Sequence, residues 1–164
     1  MKKKCMVLLV ENNAGVLARV SSLFVQRGFN IDSLTVSPTE VETLSRITIE
    51  TTGDEKTLNQ IMKQTAKLHE SKIIFSVEPE FSLIREILLV KFANDNKNMG
   101  RIEQIIEGYG ARIVDTTGGC IVVELSDTPH NIDSFLEDVK GLELVEMCRS
   151  GAIAMERGNV AYDI

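Results

Sequence analysis

The stretch Glu11-Asn12-Asn13-Ala14-Gly15-Val16-Leu17 holds the residue types best suited to grip a small anion. It ends an apolar run, turns on polar and small residues, and opens a helix whose first backbone N–H groups have no partner within the helix. A carboxylate can be held at such a turn without a cationic side chain. The asparagine amides add oxygens that accept from an ammonium group. A plainer reading of the same residues stays open: Asn12 or Asn13 caps the helix and Gly15 eases the turn.

Other chemistry is sparse. His69 falls at the end of a helix and His130 in a loop beside Pro129, neither with a Cys, Ser or carboxylate at a useful spacing, so no catalytic residue is expected. The chain has no Gly-x-Gly-x-x-Gly, no Walker-type phosphate loop, no His-Glu-x-x-His and no Cys-x-x-Cys. Cys5, Cys120 and Cys148 fit neither a metal site nor a disulfide framework; they read as small buried hydrophobes in a reducing compartment. Gly53-Asp54-Glu55-Lys56 reads as a helix start with acids matched to the dipole rather than a metal site. No metal is expected.

The elements that position the turn follow from periodicity. The sequence predicts a strand at 4–11, a helix at 14–27 burying Val16, Val20, Leu23 and Phe24, strands at 30–37 and 43–52, a helix at 54–68 and a strand at 71–78. Asp54 caps the second helix, whose face carries Leu58, Ile61, Met62 and Thr65. The pattern restarts after Pro79: a strand at 87–92, a loop Asn94-Asp95-Asn96-Lys97-Asn98, a helix carrying Ile102, Ile105, Ile106 and Tyr109, strands at 111–116 and 120–126, a helix at 130–140 and a strand at 142–148. Both halves read βαββαβ. The second helices share a face, Leu58, Ile61, Met62, Thr65 against Ile132, Phe135, Leu136, Val139, and Gly28-Phe29-Asn30 corresponds to Gly108-Tyr109-Gly110.

This order predicts an α+β chain of two ferredoxin-like units in tandem, at 1–79 and 80–164, each an antiparallel sheet with both helices on one face. In that topology the second and fourth strands are edges, so 30–37 offers a ladder to a second copy. Asn30 of one chain then comes within reach of the 12–15 turn of another.

Composition narrows the partners. The chain has 164 residues, 43% of them hydrophobic, and a net charge of −6, which supplies no electrostatic footprint for nucleic acid or an anionic membrane. With six Phe, two Tyr and no Trp, and no aromatic on the first or third strand, the base-stacking use of this fold is excluded. The Lys2-Lys3-Lys4 start and the apolar run at 5–10 fall short of a secretion signal, whose apolar region needs about 7–15 residues. No run approaches the ~20 apolar residues of a membrane span, and a cytoplasmic location is expected.

Three segments then carry a resemblance. Glu11-Asn12-x-x-Gly15-Val16-Leu17, Leu23-Phe24-x-x-Arg27-Gly28-Phe29-Asn30-Ile31 and Leu44-Ser45-Arg46-Ile47-Thr48 resemble the ACT domain of the small, regulatory subunit of acetolactate synthase. Arg85-Glu86-Ile87-x-Leu89-Val90-Lys91, Ile113-Val114-Asp115 and Arg149-Ser150-Gly151-x-x-Ala154-Met155-x-Arg157-Gly158 are similar to that family's carboxy-terminal domain.

The resemblance implies a non-catalytic chain that binds a branched-chain amino acid, typically valine, between two ACT domains, raises the activity of a large catalytic subunit and relays feedback inhibition to it. Thiamine diphosphate, FAD and Mg would sit on that large subunit. The effector positions carry over onto Asn12, Gly15 and Asn30, with Asn13, Ala14, Val16, Leu17 and Ile31 as neighbours. The alternative is a free-standing ACT-domain sensor without a catalytic partner. Arg46, Arg149 and Arg157 are the candidate contacts to the large subunit.

Overall fold

A computed structural model describes residues 2–93 and 98–158; the expected loop at 94–98 lies, up to its last residue, outside the described residues. The chain forms two units, one running to Leu83 and regaining the segment from Ala152, the other spanning Ile84–Gly151. The boundary expected at 79/80 thus falls early, and residues 152–158 join the first unit. Backbone pairing explains both: Arg157 N–H donates to the Phe81 carbonyl at 2.8 Å.

The first unit runs β1 (Lys2–Glu11), α1 (Val16–Val25), β2 (Ser33–Pro38), β3 (Leu44–Gly53), α2 (Glu55–Thr65) and β4 (Ser71–Val77). Its antiparallel sheet has the order β2-β3-β1-β4, which puts β2 and β4 at the edges as expected. Alternation along β1 sends Met6, Leu8 and Val10 to one face, where Val16, Val20 and Phe24 of α1, Leu58 and Ile61 of α2, and Ile47 and Ile49 of β3 complete a core. Asp54 is the N-cap of α2, its carboxylate accepting from Thr57 N–H at 2.9 Å, and Glu55 and Lys63 match the helix dipole at either end.

Two glycines are dictated by space or dihedral. Gly15 starts α1 with φ 85°, in the left-handed region. A Cβ on Gly53 would stand 1.9 Å from Cε1 of Phe29.

The predicted strand at 30–37 starts late. Asn30 and Ile31 are outside the ladder because the Asn30 carbonyl accepts from the Thr51 hydroxyl at 2.6 Å instead.

The second unit repeats the order: β5 (Ser82–Ala93), α3 (Met99–Tyr109), β6 (Arg112–Asp115), β7 (Cys120–Asp127), α4 (Pro129–Asp138) and β8 (Leu144–Arg149), with sheet order β6-β7-β5-β8. Leu88, Val90 and Phe92 face a core with Ile102, Ile121, Val123, Leu125, Ile132 and Phe135. The shared helix face holds: Leu58, Ile61 and Thr65 are buried in one unit, and Ile132, Phe135 and Val139 in the other. The glycine correspondence does not, since the left-handed residue is Gly28 after α1 but Gly110 after α3. His130 lies in the first turn of α4, not in a loop, because Thr128 caps that helix and Pro129 opens it. Cys5 is buried, but Cys120 is half-buried and Cys148 exposed, so the reading of all three as core residues holds for one.

A last strand, β9 (Ile153–Glu156), pairs with β5, whose first residues belong to the first unit. Four residues between glycines carry too little periodicity to reveal it from sequence. Among the described residues no helix is long and apolar enough to cross a membrane.

Candidate functional site

The turn between β1 and α1 is held by backbone bonds, within itself and to the segment before β3. Asn12 N–H donates to the Thr43 carbonyl at 2.8 Å, Asn13 N–H to the Glu11 carbonyl at 2.9 Å, and Val16 N–H to the Asn13 carbonyl at 3.3 Å. Neither asparagine caps the helix: the N-cap is Gly15, without a side-chain bond. Asn12 instead donates through Nδ2 to the Glu42 carbonyl at 3.1 Å, and Asn13 through Nδ2 to the Glu11 carboxylate at 3.0 Å. Among the described residues neither amide oxygen accepts a hydrogen bond, and the N–H groups of Leu17 and Ala18 donate none.

Glu11 anchors the mouth of this turn. Its carboxylate takes the Lys72 ammonium at 2.6 Å, and that hydrogen bond holds the Glu11 carboxyl below the usual carboxylate range. The negative charge it places there is already neutralised by Lys72.

Beside the turn opens a cleft of about 120 Å³, lined by Asn12, Asn13, Val16 and Leu17 together with Val10, Val36, Ser45 and Ile47. Sites for cofactors and drug-sized ligands run to roughly 300–1,000 Å³, so this one takes a small molecule or part of one. The sequence reading missed Val10, Val36, Ser45 and Ile47. Only strand register reveals them: Val10 faces Ser45 across β1 and β3, and Val36 faces Ile47 across β2 and β3.

The other expected positions lie apart. Ala14 is exposed beside Gly15 in the turn. Asn30 and Ile31 stand at the opposite end of the sheet, because Glu11 pairs with Leu44 whereas Cys5 and Ser33 both pair with Glu50. Six residues of strand separate the two ends, about 20 Å. Asn30 is exposed and its Nδ2 donates to Asp32 at 3.3 Å. Ile31 is half-buried against the core.

The three arginines proposed as partner contacts are engaged internally. Arg46 donates to the Ala154 carbonyl at 2.6 Å, Arg149 pairs with Glu86 and Asp133, and Arg157 Nε donates to the Ser82 carbonyl at 3.3 Å. A separate hollow of about 340 Å³ on the second unit is lined by Leu89, Lys91, Val122, Glu146 and Cys148. The Lys91–Glu146 ion pair at 2.7 Å lies in its wall. Among the described residues no three His, Cys, Asp or Glu side chains gather as metal ligands.

Comparison with known proteins covers both units. The family described as "AHAS small subunit-like ACT domain" matches residues 6–71, and the one described as "Small subunit of acetolactate synthase" matches residues 85–158. The acetolactate synthase isozyme 3 small subunit of Escherichia coli is 39% identical over 158 residues, covering 96% of this chain and 97% of that protein. The acetolactate synthase small subunit of Buchnera aphidicola is 38% identical over 156 residues, covering 94% and 98%. The crystal structure of the small subunit from Thermotoga maritima superimposes with a TM-score of 0.86 at 33% identity, over 98% of this chain and 100% of that one.

Proposed function

Because this chain belongs to the acetolactate synthase small-subunit family, we propose that it is a non-catalytic regulator of branched-chain amino acid synthesis that binds L-valine between two copies of its ACT unit. Its partner is the large catalytic subunit, which carries the thiamine diphosphate, FAD and Mg. This chain raises that subunit's activity in the cytoplasm and relays feedback inhibition to it.

The observation that supports this reading is a pair of half-sites at opposite ends of one sheet. A two-fold pairing of β2 edges sets the Ser33 end of one copy against the Pro38 end of the other. Asn30 then approaches the partner's turn. The N–H groups of Leu17 and Ala18 suit a carboxylate, and the amide oxygens of Asn12 and Asn30 suit an ammonium group. Leu17, Val36 and Ile47 offer an aliphatic lining, which separates branched side chains by only ~1–3 kcal/mol per methylene.

The test is reconstitution. The purified chain mixed with a family large subunit should raise acetolactate formation from pyruvate, and L-valine should lower it, with calorimetry showing valine bound to this chain. Unchanged turnover on mixing would instead favour a free-standing sensor, and turnover by this chain alone would overturn the non-catalytic assignment.

A further inference from the structure

The motif from Arg149 to Gly158 is not used by the effector site, yet part of it lies on the sheet that carries that site. On β3, Ser45 and Ile47 line the cleft, and Arg46 between them points to the opposite face, where Leu9 is its strand partner. There its guanidinium donates to the Ala154 carbonyl at 2.6 Å and lies 5.9 Å from the centre of the Phe75 ring. Ala152 and Ala154 are both buried. Ala152 N–H donates to the hydroxyl of Ser33 at 3.3 Å, and Ser33 is on β2, the strand that carries Val36 of the cleft.

We propose that residues 152–157 form a strap whose seating on the first unit reports occupancy of the cleft, read through Ser45, Arg46 and Ile47 of β3. The proposal rests on the effector reading above. Strand residues alternate faces on one backbone, so a ligand that fixes Ser45 and Ile47 also fixes the Cα of Arg46. Arg46 is restrained by a charge-assisted bond and by the Phe75 ring, so its position passes directly to the Ala154 carbonyl. Burial lowers the Arg46 pKa while Glu156 and Glu40 oppose that effect, and the group stays a cation. An occupied cleft seats the strap more firmly, and by reciprocity a seated strap tightens effector binding.

Amide exchange of residues 152–157 in the full wild-type chain, with and without saturating L-valine, tests this directly. Exchange of the strap should slow on valine binding by roughly 5- to 150-fold, the usual span of site-to-site coupling. Arg46→Met, which keeps an unbranched apolar stem and removes both the charge and the donor, should release the strap and weaken valine binding in calorimetry by that same factor. Arg46→Lys should restore part of both. The proposal is overturned if strap exchange is unchanged at a valine concentration that calorimetry shows to be saturating, or if Arg46→Met frees the strap without changing valine affinity. Should Arg46→Met fail to fold, the wild-type comparison decides alone. Absence of any calorimetric valine binding to the wild-type chain would mark the failure of the effector reading itself, and the strap would fall with it.

Discussion

Arg149 grips Glu86 with two parallel bonds, Nε to Oε1 and Nη2 to Oε2, both at 2.7 Å, and the glutamate side chain retains only 3% of its exposure. Arg149 ends β8 and Glu86 lies in β5, so the pair locks an edge strand to its neighbour, beside the reciprocal bonds of Ile87 and Ser150. The hydrogen bond to Glu86 raises the Arg149 pKa further above its already high range, so the guanidinium is charged at any working pH.

Removing that cation should be costly. Arg149→Ala strands a buried carboxylate, a change worth about 3–5 kcal/mol, to be read as a lower denaturant midpoint in urea. Glu86→Gln in the same background should recover part of it, because the stranded charge is gone. Asp133, on the exposed side of the same arginine at 2.7 Å, should matter far less: Asp133→Ala is expected to cost under ~1 kcal/mol.

Gly53 closes β3 against the ring of Phe29, with a would-be Cβ 1.9 Å from Cε1. Gly53→Ala is expected to cost about 1–3 kcal/mol through overpacking. Adding Phe29→Leu should offset part of that loss in equilibrium unfolding. A Gly53→Ala chain as stable as the wild type would mean that Phe29 moves freely.

Much of this was legible in the sequence because it depends on local rules. The βαββαβ order, the Asp54 cap and the two buried helix faces follow from spacing, and β2 as an edge follows from the order itself. What escaped notice depends on distant pairings. Val36, Ser45 and Ile47 join the cleft only through strand register, and β9 is a short segment whose partner lies far back in the chain. The arginines illustrate the same limit. The sequence offers Arg46, Arg149 and Arg157 as contacts to a partner, whereas the fold gives each an internal acceptor.

Thiol reactivity should separate Cys5 from Cys148. Burial, with Glu50 adding to it, pushes the Cys5 thiol up to about 12, whereas Cys148 is exposed. Since the thiolate is the nucleophile, iodoacetamide at pH 8 should label Cys148 in the native protein and leave Cys5 untouched, as read by peptide mass. Labelling of Cys5 at the denatured-state rate would contradict its buried place in β1.

Glu11 gives a pH signature. Its carboxyl pKa is lowered in the folded chain, first by the hydrogen bond from Lys72. A depressed folded value means that the unfolded state binds protons first as pH falls. The stabilisation is therefore complete above the ordinary glutamate value and is lost as pH drops through the lower folded value. Lys72→Met should return the Glu11 titration, followed by NMR, toward the ordinary value and flatten the acid limb of stability in that window.

Asn12 and Asn30 test the proposed two-copy site most sharply, because no single chain unites them. Each amide oxygen, offered to an ammonium group, should contribute about 1.5–3 kcal/mol, so Asn12→Ala or Asn30→Ala should weaken L-valine binding by roughly tenfold or more in calorimetry. Stability should move little, since the Asn12 and Asn30 side chains make only exposed bonds, to the Glu42 carbonyl and to Asp32. Mixing the two variants gives the discriminating result. In an Asn12→Ala/Asn30→Ala heterodimer, one site takes its turn from the first chain and its Asn30 from the second, and so carries both defects. The other site takes the intact turn and the intact Asn30, and binds normally. Half of the wild-type sites recovered in the mixed dimer would place the pocket across the seam, whereas uniform weakening would place it within one chain.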